Sequence, residues 1–489
     1  MRSILSVVVV VVLARLGLQG EPDPWFEPVQ PELFGAPGAQ PNAWADYDND
    51  GDLDLFVGFR GGIASRLYRN DGGVFVDVAG SVGVADTFEV RASAWGDFDA
   101  DGHLDLYVGF TPASPVPNKL YRNLGNGSRF ADVAAALGVA DRGTTRQPAF
   151  LDYDGDGDVD LFVAWRDKPN SLYRNDGGRF ADVAPMLGLA DPRKTVGVVW
   201  YDADEDGDLD CFVANQDGDA NGFFRNDGRR FVDIADSLGV SARGRPADQG
   251  GVGPSAADFD NDGDFDLFVA NYGPDALYRN DGGRWVDVAR PMGVGEDYHS
   301  TSAAWGDYDG DGRLDLLVVS YLANQRDTPD HLFRNLGDRF VPVVSAALAR
   351  DNGSHGVAWA DFDADGDLDV ALANNHARGT HYLFRNRLSP DRGRRSLQVM
   401  VEDRLGKATR AGSEVRVYRA GTRLLLGTRL VDTGGGYDSQ GVTPVHFGLP
   451  GADRVDVEVT FLTGGRRRVE RVAGVVVADV RGRWLKVRG

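Results

Sequence analysis

Short bursts of alternating apolar and polar residues run through this chain. Leu53–Val57 reads LDLFV, Leu104–Val108 LDLYV and Val159–Val163 VDLFV, and the pattern returns at 209–213, 265–269, 314–318 and 368–372. Alternation with period two marks a strand with one buried face. An aromatic residue stands upstream of six bursts (Trp44, Trp95, Phe150, Trp200, Trp305, Trp359), with Ala256 the exception. A segment such as LYRN or LFRN follows each burst, and after a Gly-rich turn comes one such as FVDV or FADV. The units start 49 to 56 residues apart. A period of this length signals a repeat architecture, and four short strands per unit suit a propeller blade. A parallel βαβ array needs helical stretches of about 10–15 residues, and only short links such as ADVAAALGVA stand between the strands. The predicted fold is all-β: a seven-bladed β-propeller followed by a small β-sandwich-like C-terminal domain.

The seventh unit lacks its fourth segment after YLFRN, Tyr382–Asn386. WFEPV, Trp25–Val29, matches RFVPV of the sixth unit and supplies the missing strand from the other end of the chain. Closure of this kind removes the open edges of a linear array. Upstream, Met1-Arg2 and an apolar run from Ile4 to Leu13 fit a secretory signal, and the run is too short to span a membrane. The expected division is a signal peptide at 1–20, the propeller at 21–386 and a β domain at 387–489. Export follows, to a periplasm or the cell exterior, with no membrane span.

Between the first and second strands of every unit lies an acidic nonapeptide. The copies are DYDNDGDLD, DFDADGHLD, DYDGDGDVD, DADEDGDLD, DFDNDGDFD, DYDGDGRLD and DFDADGDLD, opening at Asp46, Asp97, Asp152, Asp202, Asp258, Asp307 and Asp361. With the opening Asp as position 1, position 3 is Asp48, Asp99, Asp154, Asp204, Asp260, Asp309 and Asp363. Position 5 is Asp50, Asp101, Asp156, Asp206, Asp262, Asp311 and Asp365, and position 9 is Asp54, Asp105, Asp160, Asp210, Asp266, Asp315 and Asp369. Position 6 is always Gly, which lets the backbone wrap. Carboxylates this close repel one another unless a cation sits among them.

An oxygen-only, carboxylate-rich, flexible donor set suits Ca²⁺. Position 7 is Asp52, His103, Asp158, Asp208, Asp264, Arg313 and Asp367. A ligand there works through its backbone carbonyl, as in an EF-hand, so even Arg is tolerated. The EF-hand itself is excluded, because position 12 is Val57, Val108, Val163, Val213, Val269, Val318 or Leu372 instead of Glu. Up to seven Ca²⁺ ions are expected, as structural staples. A catalytic metal keeps an open coordination position, and no loop is singled out for that.

The net charge of -22 argues against nucleic acid as a partner. The charge is unevenly placed. From Arg387 onward 20 Lys+Arg face 11 Asp+Glu, whereas the preceding part holds 32 bases and 63 acids. The loops carry nearly half of all the acid, which makes it a metal-binding inventory and not a solvated tail. The one cysteine, Cys211, permits no intramolecular disulfide and stands where other units place Leu or Val, so it reads as a small buried hydrophobe.

These repeats resemble the FG-GAP/VCBS repeats of integrin-α-like β-propellers, over Trp25 to Asn386. The resemblance implies a seven-bladed ring with Ca²⁺ in the loop between the first and second strands of each blade. The fourth copy departs from the others with Glu205 at position 4 and Ala203 at position 2. Past Arg387, SLQVMV, SEVRVYRA, RLLLGTRLV, PVHFGL, RVDVEVTFL, RRRVERV and GVVVADV read as short strands. AGSEVRVY (411–418), GGGYDSQG (434–441) and the stretch 445–469 resemble an ASPIC/UnbV domain. The two parts together resemble the cartilage acidic protein family in its bacterial form. His446 and GYDSQ read as a strand histidine and a Gly-rich turn. GRRRVER, Gly465–Arg471, reads as a solvated strand, or as a dock for an acidic polymer or for the propeller's own acidic face.

The expected function is a secreted, Ca²⁺-stabilised scaffold for binding or adhesion, with an extracellular protein or polysaccharide as partner and no enzymatic activity. The alternative is a carbohydrate-binding lectin, suggested by the polar loops VANQDGDANG (213–222) and ANNHARGTH (373–381). A third reading is a polysaccharide-active enzyme. His299, His355, His376 and His381 carry no recognised catalytic spacing, and His299 and His355 are expected near one end of the channel.

Overall fold

The computed structural model describes residues 25–489, apart from 112, 126, 322–328, 346, 349–352, 376–381, 390–392, 394, 409 and 480–483. The signal segment, His376 and His381 therefore lie outside the described residues.

Among the described residues, seven sheets each contain four antiparallel strands of the repeat. Blade 1 runs Ala39–Ala45, Asp54–Phe59, Arg66–Asn70 and Phe75–Asp77, from the innermost strand outward. Blades 2 to 6 repeat that order, with innermost strands at Val90–Gly96, Thr145–Leu151, Thr195–Tyr201, Gly250–Ala257 and Ser300–Gly306. Blade 7 contains Ser354–Ala360, Asp369–Asn374 and Tyr382–Asn386, and its outermost strand is Phe26–Pro28. Phe26 pairs with Asn386 and Pro28 with Phe384. Each innermost strand touches the next, and that of blade 7 touches that of blade 1, so the cycle is closed.

Aromatic residues fill the space between blades. The position-2 ring of one loop meets the Trp of the following blade and the Phe of its outermost strand. Tyr47 lies 6.3 Å from Trp95 and 6.0 Å from Phe130, and Phe259 packs likewise on Trp305 and Phe340. Phe26 takes the outermost-strand place in blade 7, against Tyr308 and Trp359. Where the fourth loop offers only Ala203 and the fifth blade only Ala256, Tyr201, Phe265 and Trp285 fill the gap. Cys211 is buried in the packing of blades 3 and 4.

The C-terminal residues form two further sheets. One joins Ser396–Glu402 to Val445–Gly448 and Leu485–Arg488; the other joins Glu414–Arg419 to Leu425–Leu430, Arg454–Leu462 and Arg467–Val476. Val399, Val415, Phe447, Val457 and Phe461 pack in one core drawn from both, giving a small sandwich. RRRVERV and GVVVADV are not two strands. They merge into the single strand Arg467–Val476, which passes through a bulge between Val472 and Val475 and is followed by a short 3₁₀ turn.

GGGYDSQG is not a surface turn. Ser439 and Gln440 pair in parallel with Ser93 and Ala94 on the innermost strand of blade 2, and Val442 bridges to Ala45 of blade 1. The segment enters the central channel from the acidic-loop side and turns back at Tyr437 and Asp438, which are 3% and 0% exposed. Gln440 behaves as an extra peptide group. Its Oε1 accepts from Phe150 N at 2.6 Å and its Nε2 donates to Phe150 O at 2.9 Å.

Candidate metal centres beneath a basic cap

The first loop shows how the sequence builds a cage. Asp46 ends the innermost strand, and its two oxygens accept from the amides of Asp50 (3.0 Å) and Gly51 (3.1 Å). Asp50 Oδ1 accepts from the Asp52 amide at 2.9 Å. Asp54 opens the second strand and accepts from Tyr47 N at 3.2 Å and Asn70 N at 2.8 Å. These bonds fold nine residues round a centre. Two turns in the left-handed region make the wrap possible: Gly51, with φ 99°, and Asn49, with φ 60°. Position 4 has positive φ in all seven loops, Ala100, Glu205 and Ala364 included. A non-Gly residue there is disfavoured by about 1–2 kcal/mol. The sequence flags position 6 through its constant Gly but hides position 4, where Asn, Ala, Gly and Glu all occur.

In five loops three carboxylates each place an oxygen within 4.8 Å of the others: Asp46, Asp48 and Asp50; Asp97, Asp99 and Asp101; Asp152, Asp154 and Asp160; Asp202, Asp204 and Asp206; Asp258, Asp260 and Asp262. Several of these oxygens are buried without a hydrogen-bond partner, among them Asp48 Oδ1, Asp99 Oδ1, Asp152 Oδ1, Asp202 Oδ1 and Asp260 Oδ1; Asp363 Oδ1 of the seventh loop is another. A buried charged oxygen with no partner is costly unless a cation meets it. Hard oxygen donors in a flexible loop fit such an ion.

Burial and mutual repulsion push these acids up. Asp46, Asp97, Asp152, Asp258 and Asp307 rise to about 6, Asp202 to about 7 and Asp361 to about 8, with burial the leading cause. At position 9, Asp54, Asp105, Asp160 and Asp266 rise to about 9, and Asp210, Asp315 and Asp369 are pushed well up.

Position 7 turns its side chain elsewhere. Asp52, Asp158 and Asp264 accept from the amides of Gly72, Gly177 and Gly282 in the turn between third and fourth strands. His103 Nδ1 lies 3.1 Å from Asn49 Nδ2 of the preceding loop. Arg313 donates to Asn335 O and pairs with Asp311 at 2.5 Å. Asp208 faces the backbone of Gly465, and Asp367 is pushed up to about 8 by burial and by Asp365.

The RN pair of the third strand has roles that the sequence did not reveal. Its Asn stitches adjacent blades together. Asn175 Nδ2 donates to Val159 O (3.0 Å) in its own blade and to Phe98 O (2.8 Å) in the preceding loop. Asn123, Asn335 and Asn386 repeat this pattern. The Arg has two alternatives. Where Asp follows the Asn, in Arg69, Arg174, Arg225 and Arg279, it pairs with that Asp. Where Leu or Arg follows, the guanidinium turns into the acidic loop. Arg122 reaches Asp99 at 2.6 Å, Arg334 reaches Asp309 at 2.7 Å and Arg385 reaches Asp363 at 2.7 Å.

The C-terminal sandwich lies on this acidic face. Arg410 reaches Asp152 at 3.4 Å, Arg467 reaches Asp202 at 3.5 Å, and Gln398 Nε2 donates to Asp361 Oδ2 at 2.5 Å. The nearby Lys407 opposes the rise at Asp97 and Arg429 that at Asp307, and Thr428 with Arg429 meets Asp258, so the first Asp of six loops faces the cap. Glu205, the odd residue of the fourth loop, is paired by Arg416 (3.0 Å) and Arg467 (2.9 Å). Of GRRRVER, then, Arg467 docks on the propeller's acid, whereas Arg468 and Arg471 pair with Glu470 and Asp456 in their own sheet. His446 lies in a strand, as its pattern suggests, with Nε2 3.0 Å from Gly366 O of the seventh loop. Backbones meet closely here. A Cβ on Gly155 would stand 2.0 Å from Gly464 N, and one on Gly366 would stand 2.2 Å from Gly393 O.

The FG-GAP-like repeat family matches residues 46–108, 113–163, 152–213, 202–269, 258–318 and 320–372, and the ASPIC and UnbV family matches 406–477. The chain is 28% identical to cartilage acidic protein 1 of Mus musculus over 472 residues, covering 86% of this chain and 70% of that protein. Against cartilage acidic protein 1 of Homo sapiens the identity is 27%, covering 86% and 68%. Among solved structures, that of BBS1N in complex with ARL6DN matches with a TM-score of 0.47 at 10% identity, covering 74% of this chain and 97% of that one. This chain is therefore a member of the FG-GAP-like repeat family that ends in an ASPIC and UnbV module.

Proposed function

We propose that the protein is an exported recognition scaffold, a ring stiffened by Ca²⁺ that binds an extracellular protein or surface polymer. The observation that carries this reading is the cage repeated around one face, with partnerless buried oxygens in loop after loop. Positions 1, 3, 5 and 9 would hold each ion, with the carbonyl of position 7. Bound Ca²⁺ would supply positive charge where burial and repulsion now oppose ionisation. The ions are structural and not catalytic in this proposal: the loops share one backbone design, and the cap covers their face. Extracellular modules of this class bind Ca²⁺ with Kd of about 10⁻⁴–10⁻³ M, so the sites fill outside cells. Similarity to cartilage acidic protein 1 supports the extracellular setting. No helix among the described residues is long and apolar enough to cross a membrane.

Metal analysis of the purified, folded protein tests the proposal, together with its melting temperature with and without EGTA. Several Ca²⁺ per chain and a markedly lower melt on chelation are expected. A metal-free protein with an unchanged melt overturns the reading.

A further inference from the structure

The end of the channel opposite the acidic loops carries chemistry that the metal centres do not explain. Each innermost strand begins with a register shift, at Val90/Ala92, Thr145/Gln147, Thr195/Gly197 and their equivalents. A bulge of this kind re-aims a side chain. The re-aimed positions include Gln40, Arg91, Arg146, Val196, Val252 and His355. Tyr437, at the tip of the inserted segment, stands among them. It packs on Val196 and Val252, and His355 meets its ring edge-on at 5.7 Å.

The polar half of this ring is rich in donors. Tyr437 OH accepts from Arg91 Nη2 at 3.0 Å and from Arg146 Nη1 at 2.9 Å. An oxygen that accepts two guanidinium N–H groups directs its own proton away from both. Burial pushes this phenol up to about 12, so the proton stays in place. No acceptor for that proton is found among the described residues.

Counter-charge is short. Arg91 has Glu89 at 3.7 Å, whereas Arg146 has no carboxylate partner among the described residues, and its Nε is buried without a hydrogen bond. Arg166, farther along the wall, is already paired with Asp217 at 2.9 Å. Asp438 is buried beside Arg91 with both carboxyl oxygens without a hydrogen-bond partner, and burial pushes its carboxyl well up, which weakens it as a counter-charge. In a chain of net charge -22, two guanidiniums converge on one phenol oxygen at this end of the channel. The side chain of Arg91 remains 13% exposed and Arg146 is half-buried, so solvent reaches the site.

We propose that this seat binds the carboxylate of an acidic saccharide entering along the channel axis. Arg146, Arg91 and the Tyr437 hydroxyl are the donors. Such charge-assisted bonds are roughly twice as strong as neutral ones. The walls suit a sugar. Tyr272 and His299 stack at 3.9 Å, 6° from parallel, as a flat aromatic ledge. The tip of one domain thus completes a site walled by the other. The proposal rests on the recognition role given above and names the ligand class for it.

Calorimetric titration of the Ca²⁺-loaded full chain with glucuronate, with a short glucuronate-containing oligosaccharide and with neutral glucose tests the seat. Saturable uronate binding and no glucose binding are expected. Arg146→Gln is expected to weaken uronate about tenfold or more, and Tyr437→Phe less, with the melting temperature of Arg146→Gln unchanged. Uronate held equally well by Arg146→Gln would mean capture by loop Ca²⁺ and overturns the seat. Absence of saturable binding overturns it too, and a peptide carboxylate bound as tightly overturns the saccharide assignment. These outcomes leave Ca²⁺ content and melt untouched, so failure of the seat is distinct from failure of the scaffold reading.

Discussion

Replacing Asn175 by Ala removes a stitch between blades 2 and 3. The side chain is 1% exposed and makes three hydrogen bonds: to Phe98 O at 2.8 Å, to Val159 O at 3.0 Å and from Gly178 N at 2.7 Å. Gly178 is partly exposed, and water can replace its lost acceptor. The two carbonyls are buried, and an unsatisfied buried polar group costs about 1–3 kcal/mol. The expected loss is therefore about 2–4 kcal/mol. The fold supplies its own control in Asn226, which reaches Tyr153 O only at 3.5 Å and otherwise accepts from Gly228 N at 2.9 Å. Asn226→Ala is expected to cost about 1 kcal/mol. Urea unfolding of both variants in saturating Ca²⁺ measures the difference. Equal losses, or a loss at Asn175 below that at Asn226, would refute the assignment of this Asn as an inter-blade bond.

Three further outcomes are expected. In EGTA, stability should fall as pH rises. Asp54, Asp105, Asp160 and Asp266 are raised from 3.8 to about 9, so between those values the fold holds protons that the unfolded chain has released. Saturating Ca²⁺, which requires ionised ligands, should flatten or reverse that slope; a melt that climbs with pH in EGTA contradicts the assignment. Loops 2, 6 and 7, already met by Arg122, Arg334 and Arg385, should bind Ca²⁺ more weakly than the rest, and Arg122→Gln should tighten one site; a titration with a single class of sites, unchanged by that variant, argues otherwise. Removal of residues 21–30 takes away the last strand of blade 7 and with it Phe26, 1% exposed. Phe26→Ala alone should cost about 3–5 kcal/mol, and wild-type stability of either variant would refute closure by this strand.

The blades and the acidic loops were legible because their information is local. Nine residues hold a loop's donors, and period-two alternation marks the strand beyond it. The closing strand was legible because WFEPV repeats a neighbour's pattern. The inserted tip was not, because its contacts lie far away in sequence: Tyr437 meets Arg91 across 346 residues, and a Gly-rich run looks like any turn. The alternative partners of the third-strand Arg could have been found, since they follow from one neighbouring letter, Asp or not, after the Asn. Glu205 seemed an irregularity of its repeat, and its reason is an Arg pair in the other domain.

The pairing of Phe26–Pro28 with Tyr382–Asn386 sets an order of events. The strand synthesised first must wait until some 350 residues have followed it before its partner exists, about 18–70 s at ordinary elongation rates. Six blades can pack on one another during that interval while the circle stays unsealed. The inserted tip, which needs the walls of several blades at once, is made only after the strands of all seven blades, a keystone set after the arch is built.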